Sequence, residues 1–214
     1  MDRRCRKAGL TFLFICGAVL AALIQPARAA DDTSTRQAAE KLAANVCSAC
    51  HGPQGRGDNP RIPRLAGQQR AYIEVQLKAF RNQSRADHAA HEYMWGVAAT
   101  LDDAVVAALA SYYSAQPPAS AAVALVNREA VAKGAALYAK GSPERGVPPC
   151  TGCHGASAEG LAVFPRLAGQ HGEYLFIQMQ SIRNRLRASP VMHGLIKELA
   201  DEEIVALAAF LESK

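Results

Sequence analysis

The chain has 214 residues, half of them apolar, and a formal net charge of +5. That is enough material for one large core or two small ones. Residues 1–29 carry Arg3, Arg4, Arg6, Lys7 and Arg28 against Asp2 alone, leaving 19 basic and 18 acidic side chains for the remainder. So even a balance argues against nucleic-acid binding.

Residues 1–29 read as a secretory signal. A basic start (Met1–Lys7) leads into an apolar run from Ala8 to Ile24, and Ala27-Arg28-Ala29 puts small residues where a signal peptidase reads. Cleavage after Ala29 and export to the periplasm are expected. The rival is an uncleaved membrane anchor, because a run of about 17 apolar residues is close to the shortest that spans a bilayer. Cys5 and Cys16 travel with this segment, and Ile15 is too large for a lipoprotein cleavage site.

Beyond the signal, Ser34 is a candidate helix cap, with Gln37 three residues on. Ala39, Leu42, Ala43 and Val46 then share one helical face. This helix leads into Cys47-Ser48-Ala49-Cys50-His51, and the same pattern returns as Cys150-Thr151-Gly152-Cys153-His154. Each is C-x-x-C-H, the attachment signature of c-type haem. Two thiols on one helical turn add to the two vinyl groups of a haem, and the adjacent imidazole ligates its iron. A disulfide or thioredoxin-like pair needs no following His. Zinc ribbons space their pairs by about 15–20 residues, far closer than these. The cofactor expected is therefore two covalent haems c.

The sequence downstream of each motif also repeats. Pro63-Arg64-Leu65-Ala66-Gly67-Gln68 recurs as Pro165-Arg166-Leu167-Ala168-Gly169-Gln170, and Tyr72, Gln76 and Asn82 recur as Tyr174, Gln178 and Asn184. After a four-residue shortening, Met94, Leu101 and Leu109 match Met192, Leu199 and Leu207. The fold class expected is all-α: two tandem helical domains, each wrapped around one haem. The first covers residues 30–116 and the second 127–214. They are joined by a linker at 117–126 within the Ala-, Pro- and Ser-rich stretch Ser114–Val126. Each has a middle helix after Gly67 or Gly169, carrying Ile73, Leu77 and Phe80 or Leu175, Met179 and Ile182. Each ends in a helix, with Val106, Leu109, Ala110 and Tyr113 or Ile204, Leu207, Ala208 and Leu211. Asn127 is a candidate cap in the second unit, where Gly141–Pro149 interrupts the chain before Cys150.

The sixth iron ligand must come from elsewhere in each unit. Met94 and Met192 occupy equivalent positions, whereas Met179 has Leu77 as its counterpart and reads as core. His88, His91 and His193 lack counterparts and read as surface residues, and His171 aligns with Gln69. The axial pairs expected are His51 with Met94 and His154 with Met192. A thioether favours ferrous iron and fills the open position, which points to electron transfer and away from catalysis. The carbonyls of Pro63 and Pro165 are candidates to accept the Nδ1 protons of His51 and His154. Arg64, Arg166, Tyr72 and Tyr174 are candidates for haem propionates, against the alternative of a turn with a solvated arginine.

Two C-x-x-C-H units, the repeated P-R-L-A-G-Q with Tyr and Gln following, and a Met seven residues before the last helix resemble the cytochrome c4 family. The resemblance covers nearly the whole chain after the signal. It implies a pair of cytochrome c domains about a pseudo-twofold axis, with haems close enough to exchange electrons. It also implies a periplasmic, non-enzymatic electron carrier, soluble or peripherally membrane-associated. Its redox partners would be a quinol-oxidising complex and a terminal oxidase. The alternative is a dihaem electron-accepting subunit of a periplasmic oxidoreductase, such as a sulfide-oxidising flavocytochrome. A dihaem peroxidase is disfavoured because each iron has a candidate Met. The departures are the four-residue length difference before the two methionines and Ala200 where Asp102 suggests a cap.

Overall fold

A computed structural model describes residues 25–119 and 127–214. The apolar run of the expected signal and most of the expected linker lie outside the described residues. Helix α1 (Gln25–Leu42) runs on through a wider-turned segment, Ala43–Cys47, into the short α2 (Ser48–His51). The middle helix α3 is Arg70–Arg81, and the Met94 segment spans Ala90–Met94 and α4 (Trp95–Ala98). Helix α5 (Asp103–Ser114) closes the first half. The second half repeats the order as α6 (Arg128–Lys140), α7 (Thr151–His154), α8 (Gly172–Arg183), α9 (Pro190–Ile196) and α10 (Asp201–Glu212). Only isolated bridges, and no strands, occur among the described residues. No single described helix is long and apolar enough to cross a membrane.

Two local expectations need correction. Ser34 lies inside α1, because the helix continues upstream of it, so it is no terminus. Val46 is 46 % exposed while Ala39 and Ala43 are buried. The segment Ala43–Cys47 has π-helical hydrogen bonding, and that wider turn rotates the following residues off the face that strict α-periodicity would give. The four-residue length difference also has a physical form. In the first half the helix bearing Met94 spans residues 88–98 with a π-helical stretch at Ala90–Met94. Its counterpart α9 has 7 residues and is shorter by one turn.

The helix ends follow local chemistry. Asp102 accepts a hydrogen bond from Val105 N–H at 2.8 Å. At the equivalent position Ala200 has no side chain to do so. Instead Glu203 reaches back and accepts the Ala200 N–H at 2.8 Å, the other half of a capping box. Asn127 caps α6 through the N–H groups of Glu129 and Ala130.

Each half has its own apolar cluster. In the first, Ala39, Ala43, Ile73, Phe80, Val106, Leu109 and Tyr113 pack together. In the second, Tyr138, Leu175, Ile182, Ile204, Leu207 and Phe210 do the same. Helices α6 and α10 approach so closely that a Cβ on Gly134 would lie 2.0 Å from the Ala206 carbonyl oxygen.

The two halves meet through polar groups arranged about a pseudo-twofold axis. Gln68 donates to the Arg166 carbonyl at 3.0 Å and accepts the Arg166 N–H at 2.7 Å. Gln170 does the same to Arg64, at 3.0 and 2.9 Å. Nearer the axis, an antiparallel bridge joins the backbones of Arg85 and Arg187. Arg85 donates to Gln76, Gln178 and Tyr174; Arg187 donates to Gln178, Gln76 and Tyr72. Asp87 pairs with Arg85 at 2.8 Å. Burial pushes the Asp87 carboxyl upward, yet Arg85 holds it below its ordinary value. Burial likewise pushes the Tyr72 hydroxyl up, and Arg187 with Arg85 more than reverses the effect. Buried polar groups at such an interface must be satisfied mutually, because separation from water is costly otherwise.

Substituting Gly134→Ala tests the α6–α10 contact. The gain in helix propensity, about 1 kcal/mol, is smaller than the clash with a backbone carbonyl. Overpacking of this kind costs roughly 1–3 kcal/mol. Denaturant unfolding of the holoprotein is expected to show net destabilisation of the second half; equal or greater stability would contradict the packing.

Candidate functional site

Each C-x-x-C-H segment forms one short helical turn ended by a glycine. Gly52 and Gly155 follow the two histidines with φ of 71° and 83°, and a Cβ on Gly52 would lie 2.4 Å from Gly57 Cα. Only a residue without a Cβ takes this conformation in so little space. The chain then doubles back, so that Gly57 N–H donates to His51 O at 2.7 Å and Gly160 N–H to His154 O at 2.9 Å. A second anchor repeats as well. Leu65 and Ala66 donate to Gly55 O, and Leu167 and Ala168 donate to Ala158 O. Ala158 holds φ of 58° while fully buried where the first half has Gly55.

This loop brings the prolyl carbonyls to the imidazoles. His51 Nδ1 donates to Pro63 O at 2.8 Å, and His154 Nδ1 donates to Pro165 O at 3.1 Å. With Nδ1 protonated, Nε2 carries the lone pair that an iron needs. His154 Nε2 is buried and has no hydrogen-bond partner. Burial holds both imidazoles below their ordinary pKa, outweighing the carbonyl contact that favours the charged form. Both are therefore kept neutral, as ligands must be. Burial also pushes the Cys47 and Cys150 thiols up. The four cysteines among the described residues, Cys47, Cys50, Cys150 and Cys153, are free of disulfides. Neutral oriented imidazoles, an orphaned Nε2 and paired free thiols fit a covalently held haem.

The methionines are half-buried and pack against the cluster of their own half. Met179 packs on the second cluster, as its place on the middle helix suggests. His88 lies on the surface, with Glu92 3.2 Å away. His193 does not: its Nδ1 donates to Ile182 O at 3.1 Å. It occupies the place of Trp95, whose indole N–H donates to Arg85 O at 2.7 Å. His171 is buried and donates from Nε2 to Gly57 O at 2.9 Å, in the other half.

Three of the four candidate propionate residues are used elsewhere. Arg64 donates to Gly169 O at 2.7 Å, and Tyr72 and Tyr174 receive the interface arginines. Arg166 alone keeps a buried Nε without a partner.

The cytochrome c family model matches residues 37–114 and 131–214. Cytochrome c4 of Thiocapsa roseopersicina is 40 % identical over 190 residues, covering 86 % of this chain and 95 % of that protein. The chain belongs to the cytochrome c4 family. It carries two covalently bound haems c and transfers electrons, with other redox proteins as partners, rather than catalysing a reaction. The solved Acidithiobacillus ferrooxidans cytochrome c4 structure superposes with a TM-score of 0.74 at 38 % identity, covering 78 % of this chain and 98 % of that one. A Thiomonas intermedia protein named as a thiosulfate dehydrogenase electron acceptor is 34 % identical over 174 residues, 78 % of each chain.

Tyr138 supports the second cytochrome c4 site from behind, donating to Gly155 O at 2.6 Å. The Tyr138→Phe variant leaves that carbonyl with the Ala158 N–H alone, at 3.2 Å, and the loss of one hydrogen bond costs about 0.5–1.5 kcal/mol. The second half is expected to unfold at lower denaturant, as followed by haem absorbance; an unchanged midpoint would show the bond to be unimportant.

Proposed function

We propose that Cys47 and Cys50 hold one haem and Cys150 and Cys153 the other, with His51/Met94 and His154/Met192 as the axial pairs. Each of these thiols would hold its haem by adding its S–H across one vinyl C=C, a step that forms one C–S bond, places the hydrogen on the other vinyl carbon and needs no oxidant. The observation that carries the assignment is the pair of imidazoles whose Nδ1 protons are given to Pro63 and Pro165. The burial of His154 Nε2 without a partner supports it further.

Each haem supplies one Fe(III)/Fe(II) couple, and Met ligation places that couple toward higher potential. The chain's own residues hold the imidazoles neutral and fixed, so that little rearranges when an electron arrives. The units at residues 30–116 and 127–214, joined through 117–126, then act as two one-electron stations. Residues 1–29 direct export to the periplasm, with cleavage after Ala29. There the protein takes electrons from a quinol-oxidising complex and passes them toward a terminal oxidase. A second reading, an electron-accepting partner of a periplasmic oxidoreductase, is favoured by the name of the Thiomonas intermedia relative. Reduction by a purified quinol-oxidising complex supports the first reading; reduction only by a dehydrogenase supports the second.

The ligands are testable by absorbance. Ferric haem bonded to Met shows a weak band toward the red end of the spectrum. Met94→Ala and Met192→Ala are each expected to remove about half of it, and the double variant all of it, while both haems stay attached. A band unchanged in both single variants would overturn the assignment.

A further inference from the structure

Around its two buried arginines the interface is close to symmetric except for one charge; the Arg61–Glu173 pair, at 3.3 Å, lies at exposed side chains. Arg85 and Arg187 are equivalent by the repeat, are 7 % and 8 % exposed, and share the acceptors Gln76 and Gln178. Arg85 also has Asp87, 2 % exposed, at 2.8 Å from its Nε. The position equivalent to Asp87 is Ser189. Arg187 accordingly donates only to neutral acceptors, namely Gln178, Gln76 and Tyr72. Gln178 crosses the axis and donates to the other Asp87 oxygen at 3.3 Å.

Asp87 is also tied to the Met94 segment. Its carbonyl accepts the His91 N–H at 3.0 Å, and the Arg85 carbonyl accepts the Trp95 indole N–H at 2.7 Å. In the second half the corresponding donor, His193, goes to Ile182 and leaves Arg187 out. The backbone tie is common to both halves, since the Ser189 carbonyl accepts the His193 N–H at 2.8 Å, but the residue that opens the ligand helix carries a carboxylate in the first half only.

A buried anion is weakly screened and acts over longer distances than a surface charge. It stabilises ferric over ferrous iron, because the ferric centre carries one more positive charge. We propose that Asp87 is the residue that differentiates the two haems electrostatically, lowering the potential of the first-half haem more than that of the second. The proposal rests on the ligand assignment above.

The test uses the holoprotein with Asp87→Asn and, separately, Ser189→Asp. Midpoint potentials are followed by spectroelectrochemical titration, with each step assigned through the Met94 and Met192 methyl resonances. Asp87→Asn is expected to raise the reduced-to-oxidised ratio of the first-half haem severalfold at fixed applied potential, and that of the second less. Ser189→Asp adds a carboxylate beside Arg187 without removing a contact, and is expected to lower the second-half ratio. Should Asp87→Asn enlarge the radius seen by small-angle X-ray scattering, Ser189→Asp decides alone. Equal shifts at both haems, or no shift in either variant at unchanged radius, would overturn the proposal. Loss of a haem or of the red ferric band in the unsubstituted protein would overturn the ligand assignment instead, and the proposal with it.

Discussion

The structure depends on presenting a neutral imidazole, in one orientation, at the end of a single helical turn. Nδ1 must be spoken for, Nε2 must be free, and the ring must be shielded from water. One loop meets all three needs in each half. A positive-φ glycine turns the chain, the His carbonyl is bound by a glycine N–H, and a proline carbonyl takes the ring proton. The residue following that proline then begins the segment that crosses to the other half. The same few residues therefore fix the ligand and the domain contact.

That contact is polar. Gln68 and Gln170 mimic a strand's pairing by giving and accepting one backbone bond each across the axis. Behind them sit two buried guanidiniums and one buried carboxylate. Removing one partner from a buried ion pair typically costs 3–5 kcal/mol, so the arrangement resists piecemeal opening. It is also specific, since a sliding or rotated contact would strand several donors at once. For a carrier with two redox centres, a fixed mutual orientation keeps the path between them constant.

Much of this was legible in the sequence because the repeat supplied an internal control. A methionine at helical spacing means little alone, but Met94 and Met192 stand at equivalent places, as do Pro63 and Pro165. The proline carbonyls lie where the spacing predicts. The interface was less legible. Arg64, Tyr72 and Tyr174 were visible as repeated residues, yet repetition cannot say whether a side chain serves its own half or the other. Gln178 and Arg187 act on partners about a hundred positions away. His171 breaks the repeat, which made it look incidental, although it is buried against Gly57 of the first half. The π-helical turns at Ala43–Cys47 and Ala90–Met94 were hidden for a different reason: they depend on one extra residue per turn, which a periodicity of 3.6 cannot register.

The most direct test of the account is the mass of the intact chain, purified from its native host and denatured before mass spectrometry. Denaturation strips every non-covalent cofactor, so only thioether-bound haem remains. The account predicts a mass exceeding the polypeptide by two haems, reduced to one haem when Cys150 and Cys153 are both replaced by Ser. A mass equal to the bare polypeptide, or one unaffected by that double substitution, would contradict it.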